Sequence, residues 1–428
     1  MAESPQTRPR SPVRRFLQIL GPGLITGASD DDPSGIGTYA TAGATLGYAT
    51  LWTAVVTYPL MAVTQYICAK IGMVSGMGVS CVLRRHYPRR LLYPAVLTLT
   101  IANTINAGTD IGAIAAGLNL LMPVPVTAMV VPVALAILAF QIKGSYRLIA
   151  KTFKWLTLAL LAYIGAAFFA HPDAAQVLRH TFVPDLRFDP VYLSTLVAIL
   201  GTTISPYLFF WQASEEVEEE VSLGRTALAQ RIGATDDELH WAEWDVGLGM
   251  LFANAVFYFI ILATGATLHQ AGKTDIQSAA DAALALRPLV GSGATFLFAV
   301  GIIGSGILAV PVLTASAAYA VCETFGWPLG LEKKPAGAKQ FYAVIILSTL
   351  AGMLINFLGI NPIRALFWTA VLNGFLAPPL LVVILFIANN PAVMGERVNT
   401  RLTNVLGWIT AAVMTAAAVA LAVSWARS

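Results

Sequence analysis

Three consecutive carboxylates, Asp30, Asp31 and Asp32, stand in the otherwise apolar stretch ITGASDDDPSGIGTYATAG. No lysine or arginine occurs between Phe16 and Cys68, so the neighbouring sequence offers these carboxylates no basic partner. Burying an unpaired carboxylate is costly unless a partner or a bound ion compensates for its charge. We therefore expect Asp32, together with Asp31, to meet a cation that comes from outside the protein. The simpler alternative is a solvated turn between two short segments.

The composition is that of a membrane protein. Of 428 residues, 57% are hydrophobic and 11% are charged, whereas a soluble globular protein has about 25% charged residues. Runs of about 20 apolar residues, the length that crosses a bilayer, occur about eleven times. We predict an all-α polytopic membrane protein whose spans lie near residues 17–45, 48–71, 91–121, 126–142, 148–170, 190–214, 244–268, 293–321, 340–359, 362–388 and 403–425.

Two of the predicted spans are interrupted. Residues 16–29 and 36–48 are each too short to cross about 30 Å of hydrocarbon, and the sequence DPSG at residues 32–35 separates them. In the sixth span, Gly201 and the Ser-Pro pair at residues 205–206 form a second break. Proline removes an amide donor and disfavours helix in the residue before it, while glycine tolerates almost any backbone geometry. The sequence thus predicts two discontinuous helices.

These breaks open two groups of five predicted spans, residues 16–170 and 190–388. Because each group contains an odd number of spans, the second group enters the bilayer from the opposite side. Interruptions at corresponding positions of two halves are typical of secondary transporters built from inverted repeats, which bind substrate at the bilayer midplane. We predict a single transmembrane domain from residue 16 onward, with an extra helix at residues 403–425.

The charged residues predict the orientation in the membrane. A net charge of +3 is too small to indicate a nucleic-acid partner, and the basic residues cluster in short loops, as lipid-flanking charges do. The loops satisfy the positive-inside rule when the basic tail, residues 1–15, is cytoplasmic. We expect a protein of the cell (inner) membrane whose first span is retained. The cysteines form no CxxC pair and the histidines fall near span ends or in loops, which disfavours a zinc or copper site.

The second break offers oxygen donors. The hydroxyls of Thr202 and Ser205 stand beside carbonyls that Pro206 leaves without an amide partner. Together with Asp32 they describe a hard site suited to Mg²⁺ or Mn²⁺, with no thiolate, thioether or imidazole. A serine or threonine inside a span more often bonds back to a carbonyl one turn earlier. That alternative stays open for Thr202 and Ser205.

Polar residues continue along the sixth span beyond its break. At 100° per residue, Gln212 and Glu216 lie within about 40° of the face of Ser205. They predict a polar vestibule between the break and the cytoplasm, although an ordinary solvated helix end is the alternative for this segment. Asn373, in the tenth span, is a further candidate oxygen ligand.

One face of the third span is also polar. Asn103, Asn106 and Asp110 follow one another at spacings of four or fewer, which places them on the same side of a helix. Such a face indicates a polar lining. Asp110 is a candidate relay or supporting group, and a single satisfied buried carboxylate is the alternative.

At these residues the chain resembles the natural resistance-associated macrophage protein (NRAMP) family of divalent-metal transporters. The resemblance covers most of the chain and rests on GPGLITGASDDDPSGIGTY in the first helix, GLNLL at the end of the third and GTTISPY in the sixth. It implies the LeuT-like fold of the sodium-coupled amino-acid transporters, with helices one and six broken. It also implies that a divalent metal ion is a substrate rather than a cofactor, and that the protein is not an enzyme.

The sequence departs from the ordinary family pattern at the metal-binding positions. The family reads Asp-Pro-Gly-Asn in the first motif and Met-Pro-His in the sixth helix. The resemblance therefore places Gly35 where the family has its asparagine ligand and Ser205 where it has its thioether ligand. Tyr207 and Gln212 replace two family histidines, and the acidic pair of the third helix falls at Ala107 and Asp110.

This pattern looks like the NRAMP-related magnesium-transporter branch, whose members move Mg²⁺ and Mn²⁺ without proton coupling. A proton-coupled Mn²⁺/Fe²⁺ transporter is the main alternative. A sodium-coupled amino-acid symporter is disfavoured because three carboxylates at the first break would repel a substrate carboxylate. An intramembrane aspartyl protease using Asp32 and Asp110 is disfavoured because GTDIG lacks the expected Gly-x-Gly-Asp spacing. The oligomeric state stays open.

Overall fold

The computed structural model describes residues 21–143, 158–331 and 333–427, and all regular structure in these ranges is helical. A π-helical turn, Gly265–His269, extends α12, and single 3₁₀ turns join several of the other helices. The α-helices in chain order are α1 (Pro22–Asp30), α2 (Pro33–Leu46), α3 (Trp52–Ser75), α4 (Val79–His86), α5 (Arg89–Leu121), α6 (Val126–Lys143), α7 (Ala162–Phe169), α8 (Ala174–Phe182), α9 (Pro190–Thr203), α10 (Pro206–Ser222), α11 (Leu228–Arg231), α12 (Asp236–Thr264), α13 (Ala279–Ala283), α14 (Arg287–Val290), α15 (Ala294–Phe325), α16 (Lys339–Ile355), α17 (Pro362–Ala388), α18 (Pro391–Met394) and α19 (Arg401–Arg427).

Within the described ranges most helix ends lie within four residues of the predicted spans, but α10 ends eight residues later, at Ser222, and α12 begins eight residues earlier, at Asp236. Seven helical stretches within those ranges are long and apolar enough to cross a membrane. The two parts of the first span, α1 and α2, are each too short for that test, as the break predicts. The count of eleven spans and the repeat boundaries stay predictions. The tail at residues 1–15 and the first part of the predicted span at residues 148–170 lie outside the described ranges.

The first break is shorter than its sequence indicates. Helix α1 ends at Asp30, Asp31 leaves the helical region, and Asp32 is the N-cap of α2. Pro33 is the first residue of α2, a position where proline loses no hydrogen bond and its fixed φ suits a helix. The prediction that the break extends through Gly35 was therefore wrong, because that residue lies in the first turn of α2.

The second break lies at Ile204 and Ser205, between α9 and α10, and Pro206 again opens the second half. Gly201 does not interrupt the helix, which corrects the sequence prediction. A glycine is needed here for another reason. A Cβ at this position would lie 2.2 Å from the carbonyl oxygen of Ala370 and 2.3 Å from the amide nitrogen of Gly374. Gly201 thus allows the backbones of α9 and α17 to touch.

The first half-helix, α1, is docked against α12 by similar contacts. A Cβ at Gly27 would lie 2.2 Å from the carbonyl oxygen of Gly249, and one at Gly249 would lie 2.3 Å from that of Gly23. The carboxylate of Asp245 accepts hydrogen bonds from the amides of Gly21 (2.9 Å) and Gly23 (2.7 Å), which have no partner inside the helix. Small residues and one carboxylate therefore fix the half-helix that leads to Asp32.

Two glycines of α12 provide a matched test of this packing. We expect Gly249→Ala to lower the free energy of unfolding by about 1–3 kcal/mol, because the new methyl group would overlap the backbone of Gly23. Gly247→Ala should leave stability unchanged or raise it, since a Cβ there meets nothing within 4 Å and alanine favours helix. Thermal unfolding of the two purified variants is the measurement. Equal melting temperatures would contradict the backbone contact.

Candidate cation site

Asp32 is held by hydrogen bonds to both of its carboxylate oxygens. Oδ1 accepts a hydrogen bond from the amide of Gly35 (2.6 Å), as an N-cap does, and Oδ2 accepts one from Nδ2 of Asn106 on α5 (3.0 Å). The side chain is 2% exposed. Each carboxylate oxygen has more than one lone-pair site, so the two bonds orient the group without exhausting its capacity. The carboxylate is oriented and still able to bind a cation.

Thr202 and Gly35 lie beside this carboxylate. A Cβ at Gly35 would lie 3.2 Å from Oγ1 of Thr202 and 3.4 Å from Oδ1 of Asp32. The hydroxyl of Thr202 also forms a hydrogen bond with Tyr39 on α2. The fold therefore brings the threonine at the end of α9 next to the aspartate of the first break. A Cβ at position 35 would crowd Thr202 and Tyr39, so glycine permits this close approach.

The hydroxyl of Ser205 bonds back to carbonyls of the preceding turn, the alternative that the sequence left open. Its hydroxyl donates to the carbonyl oxygens of Thr202 (2.7 Å) and Gly201 (3.1 Å). Thr203 likewise donates to the carbonyl of Ile199 (2.8 Å). These bonds use the hydroxyl protons and leave oxygen lone pairs available, because a hydroxyl has one donor and two acceptor sites. Whether Ser205 contacts a cation stays a prediction.

The backbone of the first break is held by two neighbouring helices. Ser305 of α15 donates a hydrogen bond to the carbonyl oxygen of Asp31. Tyr207 of α10 donates from its hydroxyl to the carbonyl oxygen of Ser29 (2.9 Å), and Ser316 donates to the carbonyl of Tyr207 (2.7 Å). The end of α1 is thereby positioned by the second half of the sixth helix and by α15.

The other two aspartates of the first break differ from Asp32. The carboxylate oxygens of Asp30 and Asp31 are buried and have no hydrogen-bond partner in the described part of the chain. No group of three or more aspartate, glutamate, histidine or cysteine side chains within it is placed to hold a metal ion. A cation at this site would therefore have at most two of these side chains as ligands, and neutral oxygens or water would complete its coordination. Asp31 as a direct ligand stays a prediction.

The three polar residues on this face of α5 make different contacts. Asn106 holds Asp32, whereas Asn103 donates to the carbonyl oxygen of Leu313 on α15 (3.1 Å) and thereby joins two helices. Asp110 is fully buried and lies close enough to Asp32 for the two charges to interact. It also interacts with the backbone amide of Ser34, in the first turn of α2. Asn106 and Asp110 thus lie beside Asp32, and the role of this face as the lining of an ion path stays a prediction.

The remaining candidates are buried, but no described bond joins them to Asp32. Nε2 of Gln212 donates to Oε1 of Glu216 (2.8 Å), so these residues form a pair inside the structure rather than a solvated helix end. Asn373 is buried on α17 beside Gly374, whose backbone contacts α9 at Val197. Their roles as metal ligands or vestibule groups stay predictions.

Sequence analysis missed two residues that position the site. Tyr39 follows Asp32 by seven residues, two helical turns, and that spacing was a usable signal for its place beside Thr202. Ser305 lies in a long apolar helix with no polar neighbours in sequence, and its bond to the carbonyl of Asp31 joins residues that are 274 positions apart. Only the packing of α15 against the break reveals it.

A family model described as natural resistance-associated macrophage protein-like matches residues 23–424. The chain belongs to this family. Among NRAMP relatives, the divalent metal cation transporter MntH of Klebsiella pneumoniae (strain 342) is 26% identical over 407 residues, which are 93% of this chain and 92% of that protein. The match to the family model spans both helix breaks and all the candidate site residues.

Solved structures identify the fold. The manganese transporter of Eremococcus coleocola, in complex with an aromatic bis-isothiourea substituted compound, gives a TM-score of 0.75 at 20% identity, covering 98% of this chain and 89% of that chain. A nucleobase-cation-symport-1 family transporter in a closed conformation gives a TM-score of 0.57 at 13% identity, covering 95% and 92%. These likenesses confirm the predicted all-α, LeuT-like transporter fold of this NRAMP protein.

Two Asp-Pro caps allow a matched test of the site. We expect Asp32→Asn to weaken Mn²⁺ binding at least tenfold, about 1.4 kcal/mol, because it keeps an oxygen acceptor for Gly35 but removes the charge. Asp189, before Pro190, caps α9 in the same way through the amide of Tyr192 (2.9 Å) but is exposed. Asp189→Asn should therefore leave binding unchanged.

Isothermal titration calorimetry of the purified variants measures both affinities, and their melting temperatures show whether each remains folded. Binding by folded Asp32→Asn within twofold of the parent would remove Asp32 from the cation site.

Proposed function

We propose that this NRAMP protein is an integral membrane transporter that imports divalent metal cations, most of all Mg²⁺ and Mn²⁺, by alternating access. One observation carries the proposal: the buried Asp32 of the first helix break lies beside Thr202, in the last turn of α9 before the second break. Transporters of this architecture bind their ions where two broken helices meet. Two similar proteins, the divalent metal cation transporter of Klebsiella pneumoniae and the manganese transporter of Eremococcus coleocola, support the choice of substrate class.

The donor chemistry supports hard cations. The groups described around Asp32 are hydroxyls, amides, carbonyls and carboxylates, and none of them contains sulfur or imidazole. Mg²⁺ prefers oxygen, dehydrates reluctantly and usually keeps several waters. One oriented carboxylate with neutral oxygens suits an ion that keeps part of its water. This donor set supports the proposal that the protein belongs to the magnesium-transporting branch.

The membrane arrangement follows from the charge pattern. We propose that the protein lies in the cell (inner) membrane with a cytoplasmic N-terminus, because basic residues concentrate in the loops that this orientation places inside. With this orientation α1 is the cytoplasmic half of the first broken helix. The buried pair of Gln212 and Glu216 then lies between the second break and the cytoplasm, where it would line the inner path of the ion.

We further propose that transport is not coupled to protons. At the two positions where ordinary relatives carry histidine, Tyr207 donates to the carbonyl of Ser29 and Gln212 donates to Glu216. Neither side chain exchanges protons readily near neutral pH. The alternative is a proton-coupled Mn²⁺/Fe²⁺ symporter, and one observation favours it: Asp110 is a buried carboxylate close enough to Asp32 for the two groups to interact.

Reconstituted vesicles distinguish the two mechanisms. We expect Mg²⁺ and Mn²⁺ to enter without acidifying the lumen and to enter faster when the lumen is negative, since a double charge gains roughly 4–5 kcal/mol per 100 mV. A trapped pH-sensitive dye measures acidification, and a potassium diffusion potential sets the voltage. Vesicles containing Asp32→Asn are the control for leakage. Metal-dependent acidification that scales with uptake would establish the coupled alternative.

Substitution at position 205 tests the basis of ion selectivity. We expect Ser205→Met to lower the ratio of Mg²⁺ to Mn²⁺ initial uptake rates by roughly tenfold, because a thioether favours softer ions and occupies the space of a retained water. Ser205→Ala removes the hydroxyl without adding sulfur, so it separates the two effects. The rates are compared in the same vesicles. An unchanged ratio in Ser205→Met would place the side chain away from the ion.

A further inference from the structure

A groove runs between α3, α12 and α19, on the surface remote from the candidate cation site. Its volume is about 480 Å³. We call it the α3–α12–α19 groove, and the residues on which the argument depends are Tyr66 of α3, Glu243, Trp244 and Leu251 of α12, and Leu402 of α19. No role in ion binding requires it.

The groove faces the lipid. Each of its three walls is a helix long and apolar enough to cross a membrane. Its rim is apolar and accessible, since Trp244 is 56%, Leu251 47% and Leu402 69% exposed. From His240, near the start of α12, to Leu251 the groove rises eleven residues, about 16 Å at 1.5 Å per residue. In the membrane orientation proposed above, that rise would extend from the headgroup layer into the acyl-chain layer of the cytoplasmic leaflet.

The polar end of the groove carries an unpaired negative charge. Glu243 is exposed, and its carboxylate has no ion pair or hydrogen bond within the described ranges. The aromatic rings of Tyr66 and Trp244 line the same cavity, and Trp244 donates from its indole to Nε2 of His240 (3.1 Å). A carboxylate with aromatic rings beside it is a suitable partner for an ammonium group.

A positive charge lies close to the same end. Arg397 and Glu243 both lie near enough to Tyr66 to act on it electrostatically. Arg397 forms an ion pair with Asp236 at the surface, where its guanidinium remains accessible. The cytoplasmic end of the groove thus presents one carboxylate and one guanidinium, a charge pattern complementary to a zwitterionic headgroup.

We propose that the α3–α12–α19 groove binds phosphatidylethanolamine of the cytoplasmic leaflet. The primary ammonium donates hydrogen bonds to Glu243, the phosphate faces Arg397, and an acyl chain follows the apolar wall toward Leu251. A choline headgroup has the same charge but no N–H donor for the carboxylate. A glycerol headgroup offers no cation at all, so its net negative charge would meet Glu243 unfavourably.

The groove lies on the helix that also holds the first half-helix, α1. Glu243, Trp244 and Leu251 line the groove on one side of α12, while Asp245 and Gly249 contact α1 from the other side. A lipid in the groove would therefore pack behind the helix that holds the first half-helix in place. Binding itself does not depend on the proposed transport function, so the two proposals can fail independently.

Nanodiscs provide the test. The full chain is placed in discs containing equal amounts of phosphatidylethanolamine, phosphatidylcholine and phosphatidylglycerol, and the lipids retained after mild detergent release are counted by native mass spectrometry. We expect at least fivefold enrichment of phosphatidylethanolamine over phosphatidylcholine. Glu243→Gln should reduce that ratio to about one. Asp237→Asn, which removes an exposed charge from the same helix outside the groove, should leave the enrichment unchanged.

If the unaltered chain retains phosphatidylethanolamine and phosphatidylcholine equally, the proposal is wrong, whatever the variants show. Enrichment of phosphatidylglycerol would overturn it as well, since it would show that the basic residues rather than Glu243 select the lipid. An ethanolamine preference that survives Glu243→Gln in folded protein would place the lipid elsewhere on the surface.

Discussion

The structure depends on one buried charge, the carboxylate of Asp32. It needs an N-cap position, which a continuous helix cannot offer, and a donor from a second helix, which Asn106 provides. Both requirements constrain the fold: the first helix must break at Asp31, and α5 must pack directly against the break. Two neutral donors orient the carboxylate but do not neutralise it. The charge that remains is what the site offers to a cation.

The contacts that hold the broken helices are mostly between backbones. Gly201 meets Gly374, and Gly27 meets Gly249, at distances that no Cβ would permit. Such contacts bring helix axes close in a membrane, where packing rather than the hydrophobic effect drives association. The start of α1 has an additional polar contact, the cap from Asp245, and its far end accepts hydrogen bonds from Tyr207 and Ser305. A short half-helix is thus positioned at both ends by other helices, because it is too short to be stable through its own hydrogen bonds.

The sequence predicted the helices well because apolar length and proline position are local signals. It placed both breaks within two residues of where the backbone leaves the helix. It failed at Gly201, since a glycine that breaks a helix and one that permits a close contact look alike in sequence. The bond from Ser305 to Asp31 could not be predicted either, because it joins distant segments whose approach depends on the whole packing. The residue types near the breaks could therefore be read from the sequence, whereas the contacts that position them from other helices could not.

The buried aspartates around the site differ in what holds them. Asp32 accepts two hydrogen bonds, whereas the carboxylates of Asp30 and Asp31 have no hydrogen-bond partner in the described part of the chain. Asp30, Asp31 and Asp110 lie close enough to the other aspartates to repel them when ionised. Burial and that repulsion together disfavour the charged forms unless a cation compensates for them. Such a compensation depends on the charge of the cation and not on its softness, so a choice among divalent ions would fall to the neutral oxygens that lie around Asp32.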